Sequence, residues 1–491
     1  MNDLAEKALR GLDAARKQLR DRPMLCFAVL GFAIASVVVV AGGRVGAARS
    51  TRPLTTWLGL QDSHGLTPGD NLPGAVMLAA IVALVLLWLL TVEIVRRTRP
   101  PDSRVWWVAA AWITPFAVGP PLMDTSVHTY VAYGLLQRAG RDPYTSSPSL
   151  LGDSPIVAAI DPGARGVPSS AGPLGTVLQH LSVSISGGSA LGAVIVVRVV
   201  CLLAVIWIGR LAADLGGSHR AEALSLCVLN PLVLLYFVSS PHLDAVMIAF
   251  VLASLSAANQ HRWLTAVALA GVAGSVSAQG FIAVPIIITV HWLSRRTVAA
   301  WRLIGRDLLV AAGTISACGL IQPGGFGWLW TVSKQFTTHT PFAVASAIGE
   351  VLAPIVRAAS FDDLAASGRI TAMTAAVCTI IYLIITARRR ALERTTGYAL
   401  LALGLLAPSL NPWYVLWGAL CLAPTANGPR RIWVLALSAA ACVLTPPGFS
   451  RLLTNGITAV ALVVTAAITI VLLTVDARRT SAEPATVSAE N

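Results

Sequence analysis

The sequence predicts an all-α integral membrane protein that crosses the bilayer many times. Of its 491 residues, 55% are hydrophobic and only 12% are charged, about half the charged fraction of an average soluble domain. Apolar runs of roughly 16–24 residues recur along the chain, close to the ~20 that cross a bilayer as a helix. The alternating segments of about ten residues that build a membrane β-barrel do not occur in the sequence.

About fourteen apolar segments are predicted to be transmembrane helices. They form one multi-span domain, residues 23–475, between a cytoplasmic amphipathic helix at 1–22 and a disordered cytoplasmic tail at 476–491. The predicted spans lie near residues 24–43, 74–95, 105–122, 188–209, 221–240, 243–258, 263–278, 280–294, 307–322, 370–387, 396–410, 413–425, 432–446 and 456–475.

Arginine residues in the short connections predict the orientation of the spans. The net charge of +13 comes largely from clusters such as those at 96–104, 295–306 and 388–394, and basic loops favour the cytoplasmic side. Membrane topology therefore explains the charge, and no nucleic-acid partner is predicted. Residues 342–358 are apolar enough to span, but counting them would put the 388–394 cluster outside. A re-entrant or surface helix is predicted there.

This orientation leaves two long segments, 123–187 and 323–369, on the outer face. The first carries an acid, Asp124, just after the third predicted span. Placing a carboxylate at a membrane boundary is costly unless it has a role, and a half-buried carboxylate can act as a general base. The alternative is that Asp124 only caps the helix that follows, because Asp124-Thr125-Ser126 is also a capping pattern.

His242 and Asp244 form a second candidate group. They follow Ser239-Ser240-Pro241 at the predicted outer junction of the fifth and sixth spans, where both side chains could face the same cavity as Asp124. The alternative for Asp244 is again a helix cap.

Arg198 lies near the middle of the predicted span 188–209, where a charge costs about 2.5–3.5 kcal/mol even on a lenient insertion scale. It must therefore contact protein, water or an anion. A structural ion pair with Glu93 is one possibility.

The second outer segment contains a polar patch with Lys334 and His339, which could bind a lipid phosphate or could simply be solvated. Trp413 belongs to a Pro-Trp-Tyr turn between two spans, where aromatic residues also occur as membrane-interface anchors.

Motifs of nucleotide-driven and hydrolytic enzymes are missing from the sequence. It has no Walker A motif, no HExxH and no GxSxG. The seven cysteines lie in apolar segments without metal-ligand spacing and are predicted to be small core residues. No metal site is predicted.

Several short motifs follow one another between about residues 105 and 420. They are Tyr130-Val-Ala-Tyr-Gly134, Gly140-Arg-Asp-Pro-Tyr144, Pro168-Ser-Ser-Ala-Gly-Pro-Leu174, Arg198, Cys227-Val-Leu-Asn-Pro-Leu-Val-Leu234 followed by His242, Thr340-Pro341 and Pro412-Trp413-Tyr414. Together they resemble those of actinobacterial polyprenol-phosphate-mannose-dependent α-(1→6)-mannosyltransferases, which are GT-C glycosyltransferases.

The resemblance implies a GT-C-like fold in the plasma membrane, with the active site facing the exterior. The partners would be a polyprenyl-phosphate-mannose donor, a lipid-anchored glycan acceptor of the lipomannan or lipoarabinomannan type, and membrane lipids. No other cofactor is expected. Asp124 would be the catalytic base of an inverting transfer. The residues expected to bind substrate are His128, Tyr130, Tyr133, Asp142, Tyr144, Arg198, His242, Asp244, Lys334, His339 and Trp413.

Two departures from the family pattern leave other functions open. The acid expected four residues before Tyr130 is replaced by Ser126, and Ser277 stands where a lysine is expected. One alternative is therefore a catalytically weakened paralogue that binds lipid-linked sugar. Another is a lipid or sugar transporter, although such folds favour internal repeats, and this sequence shows none.

Overall fold

The computed structural model describes residues 23–45, 52–61, 72–294, 300–322, 324–335 and 361–443. Within these ranges the regular secondary structure is helical and there is no β-strand. In chain order the helices of eight or more residues are α1 (Pro23–Val45), α2 (Leu72–Thr98), α3 (Asp102–Val118), α4 (Ser126–Arg138), α5 (Pro173–Ile185), α6 (Ala190–Leu215), α7 (Arg220–Val228), α8 (Asp244–Asn259), α9 (Trp263–Val276), α10 (Ala283–Ser294), α11 (Ala300–Gly319), α12 (Trp328–Gln335), α13 (Phe361–Ile385), α14 (Leu392–Leu405), α15 (Tyr414–Leu422) and α16 (Pro429–Val443).

Four of these helices are long and apolar enough to cross a membrane, namely α1, α2, α6 and the Gly368–Ile385 part of α13. A fifth candidate is the pair Gly217–Val228 and Pro231–Ser239, which is bent by 45°. The prediction of an all-α fold is therefore confirmed for the described residues, and these apolar helices are compatible with a membrane protein. The segments 1–22, 342–358, 456–475 and 476–491, each with a prediction of its own, lie outside the described residues.

Two predicted spans end differently from the sequence prediction. The third, 105–122, is α3 and ends at Val118, because Gly119-Pro120-Pro121 follows and proline cannot continue the backbone hydrogen bonds of a helix. The fifth, 221–240, is not one straight helix. It breaks at Asn230-Pro231, where the Asn230 side chain accepts a hydrogen bond from the Leu232 N–H at 3.0 Å.

After that break the chain forms a π-helical turn, Leu234–Ser239. π-Helices are rare and frequently occur at functional sites. This turn packs against both α3 and α6, so the polar residues that follow it come close to those that follow α3.

The predicted outer segment 123–187 is folded. It contains α4, α5 and three single-turn helices that each begin with proline, Pro148–Leu151, Pro155–Ala158 and Pro162–Arg165. Helices α4 and α5 pack closely, because a Cβ added to Gly134 would lie 2.3 Å from the backbone oxygen of Gln179. The described part of the other outer segment, 323–369, contains α12 and the start of α13.

A continuous apolar core joins the helices. Helix α1 packs on α2 and α3, α6 packs on α7 and α8, and α8 packs on α9. Trp112 of α3 is fully buried against α1 and donates its indole N–H to the Phe27 carbonyl at 2.8 Å. Gly31 makes this approach possible, since an added Cβ would lie 1.7 Å from the Trp112 Nε1. This packing fixes the end of α3, where the polar segment begins.

Candidate functional site

Asp124 lies in the turn between α3 and α4, and its carboxylate contacts His242 in the turn before α8. Asp124 Oδ2 is 2.7 Å from His242 Nε2. Asp124 Oδ1 accepts a hydrogen bond from the Ser126 N–H at 2.8 Å. One oxygen therefore accepts a hydrogen bond from the backbone at the start of α4, and the other contacts the imidazole.

Ser240 links the two turns directly. Its Oγ accepts a hydrogen bond from the Met123 N–H at 2.8 Å and a longer one from the Asp124 N–H at 3.4 Å. The turn that carries the imidazole thus holds the backbone of the turn that carries the acid.

Arg198 of α6 also links the two turns. Its Nη1 donates to the carbonyl of Gly119 at 2.7 Å and to that of Ala117 at 3.2 Å. Its Nη2 donates to the carbonyl of Ser239 at 2.8 Å. The guanidinium therefore joins the chain just before the acid to the chain just before the imidazole.

The possible ion pair between Arg198 and Glu93 is wrong. Glu93 is bonded to Arg96 and Arg97 in its own helix and contacts Arg431 of α16 at 3.4 Å. Arg96 and Arg97 follow the apolar part of α2 and reach Glu93 at helical spacing. Arg198 instead lies beside the C-terminal end of α3.

The acid is more accessible than the imidazole. The Asp124 side chain is 22% exposed and that of His242 only 2%. The His242 ring stacks on Trp413 with a centroid distance of 4.0 Å, and its Nδ1 lies 3.3 Å from the Tyr130 hydroxyl. The carboxylate therefore keeps part of its surface exposed, while the imidazole beside it is buried.

The charged forms of Asp124 and His242 stabilise each other. Burial alone would raise the pKa of Asp124, but the charge of His242 and the hydrogen bonds from His242 and Ser126 outweigh burial and lower it. Burial alone would lower the pKa of His242, but the Asp124 carboxylate, helped by Asp244, raises it. The pair therefore favours a carboxylate next to an imidazolium.

The pKa of His128, in the first turn of α4, shifts in the opposite direction from that of His242. Burial lowers its pKa to about 4, and the positive charge of Arg198 acts in the same direction against the attraction of Asp124. Its Nδ1 is buried and has no hydrogen-bond partner among the described residues. His128 is thus a neutral, buried imidazole close to the acid.

Asp244, the first residue of α8, belongs to the same cluster. It influences His242 electrostatically, and polar groups of Ser277, Trp413 and Trp417 lie around its carboxylate. The structure therefore brings both acids to one site, as predicted. Ser277, at the position where a lysine was expected, lies beside the second acid.

Asp142 and Tyr144 lie apart from Asp124. They follow the other end of α4, whose 13 residues span about 20 Å at ~1.5 Å per residue. The Asp142 Oδ1 accepts from the Tyr144 N–H at 2.9 Å, and the Tyr144 hydroxyl is 3.2 Å from Thr176 Oγ1. Tyr133 donates its hydroxyl to the Val167 carbonyl at 2.7 Å.

The predicted Lys334 and His339 patch has no described geometry. Lys334 falls in α12, with its side chain outside the described residues, and His339 lies outside them altogether.

Three residues that contribute to the site were not singled out from the sequence. Ser239 and Ser240 supply the contacts between the turns, and the polar pair at the end of an apolar run is a signal that could have identified them. Trp57 packs on Arg198, with 5.1 Å between the guanidinium carbon and the ring centroid, and donates its indole N–H to the Val118 carbonyl at 2.7 Å. No local pattern marks Trp57, because its partners are distant in sequence.

Comparisons with known proteins agree with the resemblance. A family model described as "Alpha-(1->6)-mannopyranosyltransferase, N-terminal domain" matches residues 28–294, and one described as "MptB C-terminal domain" matches residues 324–475. The chain is 26% identical over 438 residues to alpha-(1->6)-mannopyranosyltransferase A of Mycobacterium tuberculosis, covering 83% of this chain and 81% of that protein.

Two further relatives show the same level of similarity. A probable alpha-(1->6)-mannopyranosyltransferase of Mycolicibacterium smegmatis is 25% identical over 454 residues, covering 81% of this chain and 79% of that protein. Alpha-(1->6)-mannopyranosyltransferase B of Corynebacterium glutamicum is 25% identical over 399 residues, covering 72% of this chain and 65% of that protein.

Proposed function

Because this chain belongs to the α-(1→6)-mannopyranosyltransferase family, we propose that it transfers mannose from a polyprenyl-phosphate carrier to a lipid-anchored cell-envelope glycan. The mannosyltransferase names of its relatives support the transfer, and its apolar helices support a membrane location. The proposal includes a GT-C architecture of about fourteen spans, in the plasma membrane, with the reaction at the outer face. Neither a nucleotide nor a resident metal takes part.

The observation that carries this proposal is the accessible carboxylate of Asp124, held by His242 and by the start of α4. In the proposed reaction the acceptor hydroxyl attacks C1 of mannose while the bond between C1 and the phosphate oxygen breaks. The electron pair of that bond leaves with the lipid phosphate. Asp124 takes the hydroxyl proton, and attack from the face opposite the phosphate inverts C1.

The geometry around Asp124 suits a general base. Each carboxylate oxygen accepts one hydrogen bond from the protein, which leaves lone pairs for the acceptor hydroxyl. Those two bonds fix the orientation of the carboxylate, and a base must lie within hydrogen-bond reach of the proton that it removes. His242 is therefore a positioning residue, since it is covered by Trp413 and does not reach the substrate.

Arg198 supports the two turns that form the site. Three of its N–H contacts are taken by backbone carbonyls, so we assign it to holding the two turns together. Its buried positive charge also favours anionic groups nearby. Lys334 and His339 remain the proposed ligands of the lipid phosphate.

The same geometry argues against the weakened paralogue. The family pattern expects the acid at position 126, and the Asp124 carboxylate lies 2.8 Å from the backbone nitrogen of Ser126. A carboxylate is thus present at the start of α4 although its residue lies two positions earlier in the sequence.

The test uses membranes that contain the full-length protein, a radiolabelled polyprenyl-phosphate-mannose donor and a synthetic α-(1→6)-mannobioside acceptor. We expect wild-type membranes to form labelled trisaccharide with inverted configuration at the transferred sugar. If wild-type membranes form none while membranes with an active relative do, the proposal fails and the paralogue is favoured. Movement of intact donor across the membrane without transfer would favour a transporter.

A further inference from the structure

A separate cavity of about 720 Å³ lies at the end of α4 that is remote from Asp124. One wall is the turn with Asp142 and Tyr144. The other is formed by Gln322 and Phe326 in the connection from α11 to α12 and by Trp330 in α12. Its volume is typical of cavities that bind small molecules.

Glycines allow the two walls to pack closely against each other. Gly324 has a φ of +73°, and a Cβ there would lie 2.9 Å from Asp142 Oδ2. A Cβ on Gly327 would lie 2.7 Å from Tyr144. Glycine tolerates this backbone conformation and close approach without steric cost, so the connection packs directly on the turn.

A shared hydrogen-bond partner fixes the walls further. Thr176 Oγ1 contacts the Tyr144 hydroxyl from one wall and accepts from the Gln322 amide of the other. The cavity is therefore preformed, which reduces the entropic cost of binding.

The chemistry of the lining favours an uncharged, hydroxyl-rich ligand. Asp142 Oδ1 accepts from the Tyr144 N–H, whereas no donor within the described chain contacts Oδ2. This carboxylate is the one charged group among the described lining residues, so it repels a phosphate and can accept from hydroxyl groups. Phe326 and Trp330, 43% and 76% exposed, add flat apolar surfaces.

Resting on the proposed mannosyl transfer, we propose that this cavity binds sugar residues of the acceptor glycan that are remote from the reacting hydroxyl. The roughly 20 Å length of α4 separates these sugars from Asp124. A carboxylate, an amide and aromatic faces match the hydroxyl groups and the apolar faces of a pyranose ring. The cavity thus holds the acceptor chain while its end reacts.

Binding is measured with the full-length protein in detergent, in an Asp124→Asn background so that no turnover occurs. The probe is α-(1→6)-linked mannotetraose, titrated by calorimetry. The test variants are Asp142→Asn, which keeps an acceptor for the Tyr144 N–H, and Trp330→Leu. Matched controls are Asp153→Asn and Trp301→Leu, whose wild-type side chains are exposed and lie outside the cavity.

We expect each test variant to bind at least about tenfold more weakly, equivalent to about 1.4 kcal/mol, and each control to bind like its parent. Parent-like binding by both test variants, or no binding by the parent protein, would overturn the proposal. Binding of a polyprenyl phosphate in place of the tetraose, lost in Trp330→Leu, would also overturn it.

Transfer assays with otherwise wild-type protein separate this inference from the proposed function. We expect Asp142→Asn to raise KM for the tetraose and to leave KM for a monosaccharide acceptor unchanged. If Asp142→Asn and the wild type had the same KM for the tetraose, the cavity assignment alone would be wrong. If the wild type transferred mannose to no acceptor but still bound the tetraose, the proposed transferase function alone would be wrong.

Discussion

The carboxylate of Asp124 and the imidazole of His242 lie 2.7 Å apart although 118 residues separate them in the sequence. The end of α3 and the π-helical turn bring them together, and Ser240 and Arg198 hold both turns. Removing either partner leaves the other buried or half-buried without its counter-charge, which is costly. The pair therefore links activity to stability, and the two can be tested separately.

Replacing the acid by its amide tests the base. Asp124→Asn keeps an oxygen for the Ser126 N–H but cannot take a proton, so we expect the transfer rate to fall by about 10²–10⁴-fold, the usual contribution of general base catalysis. Initial rates in membranes at matched protein levels measure this. Asp153→Asn, an exposed acid of the same segment, should keep the wild-type rate. Retention of most activity by Asp124→Asn would remove the acid from the base role.

Replacing the imidazole tests how the acid is tuned. His242→Gln retains a hydrogen-bond donor but no positive charge, so the pKa of Asp124, which His242 lowers, should rise. The acid is then protonated at a higher pH, and the acidic limb of the pH–rate profile should move towards neutral pH. An acidic limb at the wild-type position would show that His242 does not act on Asp124.

The same pair predicts how stability depends on pH. The raised pKa of His242 contributes stability that is complete below its ordinary value of 6.5 and is lost as the pH rises through the raised value. The lowered pKa of Asp124 contributes stability above 3.8 that is lost as the pH falls through the lowered value.

Thermal unfolding of wild type and His242→Gln in detergent across this range measures the effect. The wild type should exceed the variant most between pH 3.8 and 6.5 and by less on either side. A difference that does not change with pH would show that packing on Trp413, and not charge, accounts for the stabilisation.

Removing the guanidinium tests the link between the turns. Arg198→Met leaves the carbonyls of Ala117, Gly119 and Ser239 without their donors, at about 1–3 kcal/mol for each buried group left unsatisfied. We expect a lower unfolding temperature and, because both turns loosen, lower activity. Arg210→Met, an exposed arginine of the same helix, is the control. Full activity together with reduced stability would limit Arg198 to a purely structural role.

Much of the fold was predictable because it depends on local properties. Apolar length identified the long helices, and Gly119-Pro120-Pro121 and Asn230-Pro231 contain the signals for their ends, although the predicted spans ran past both. The grouping of Asp124, His242 and Asp244 was predictable as well, since polar residues at the ends of neighbouring helices tend to meet.

The contacts of Arg198 were not predictable in the same way. Its partners are backbone carbonyls 41 to 81 residues away, and a carbonyl acceptor leaves no trace in the residue type. The wrong alternative, Glu93, came from looking for a charged side chain. The sequence predicts a helical stretch between Asp124 and Asp142, and the length of that helix, α4, separates the two residues.

The length of α4 has a consequence for the choice of substrate. Helix α4 is packed on α5 with no room for a side chain at Gly134, so the distance between its two ends is fixed. In the proposed binding mode, the growing tip of the acceptor lies at one end of α4 and the older part of the chain is bound at the other. A primer shorter than this fixed distance would be held at one point only, so we expect the protein to extend chains that have already been started in preference to initiating new ones.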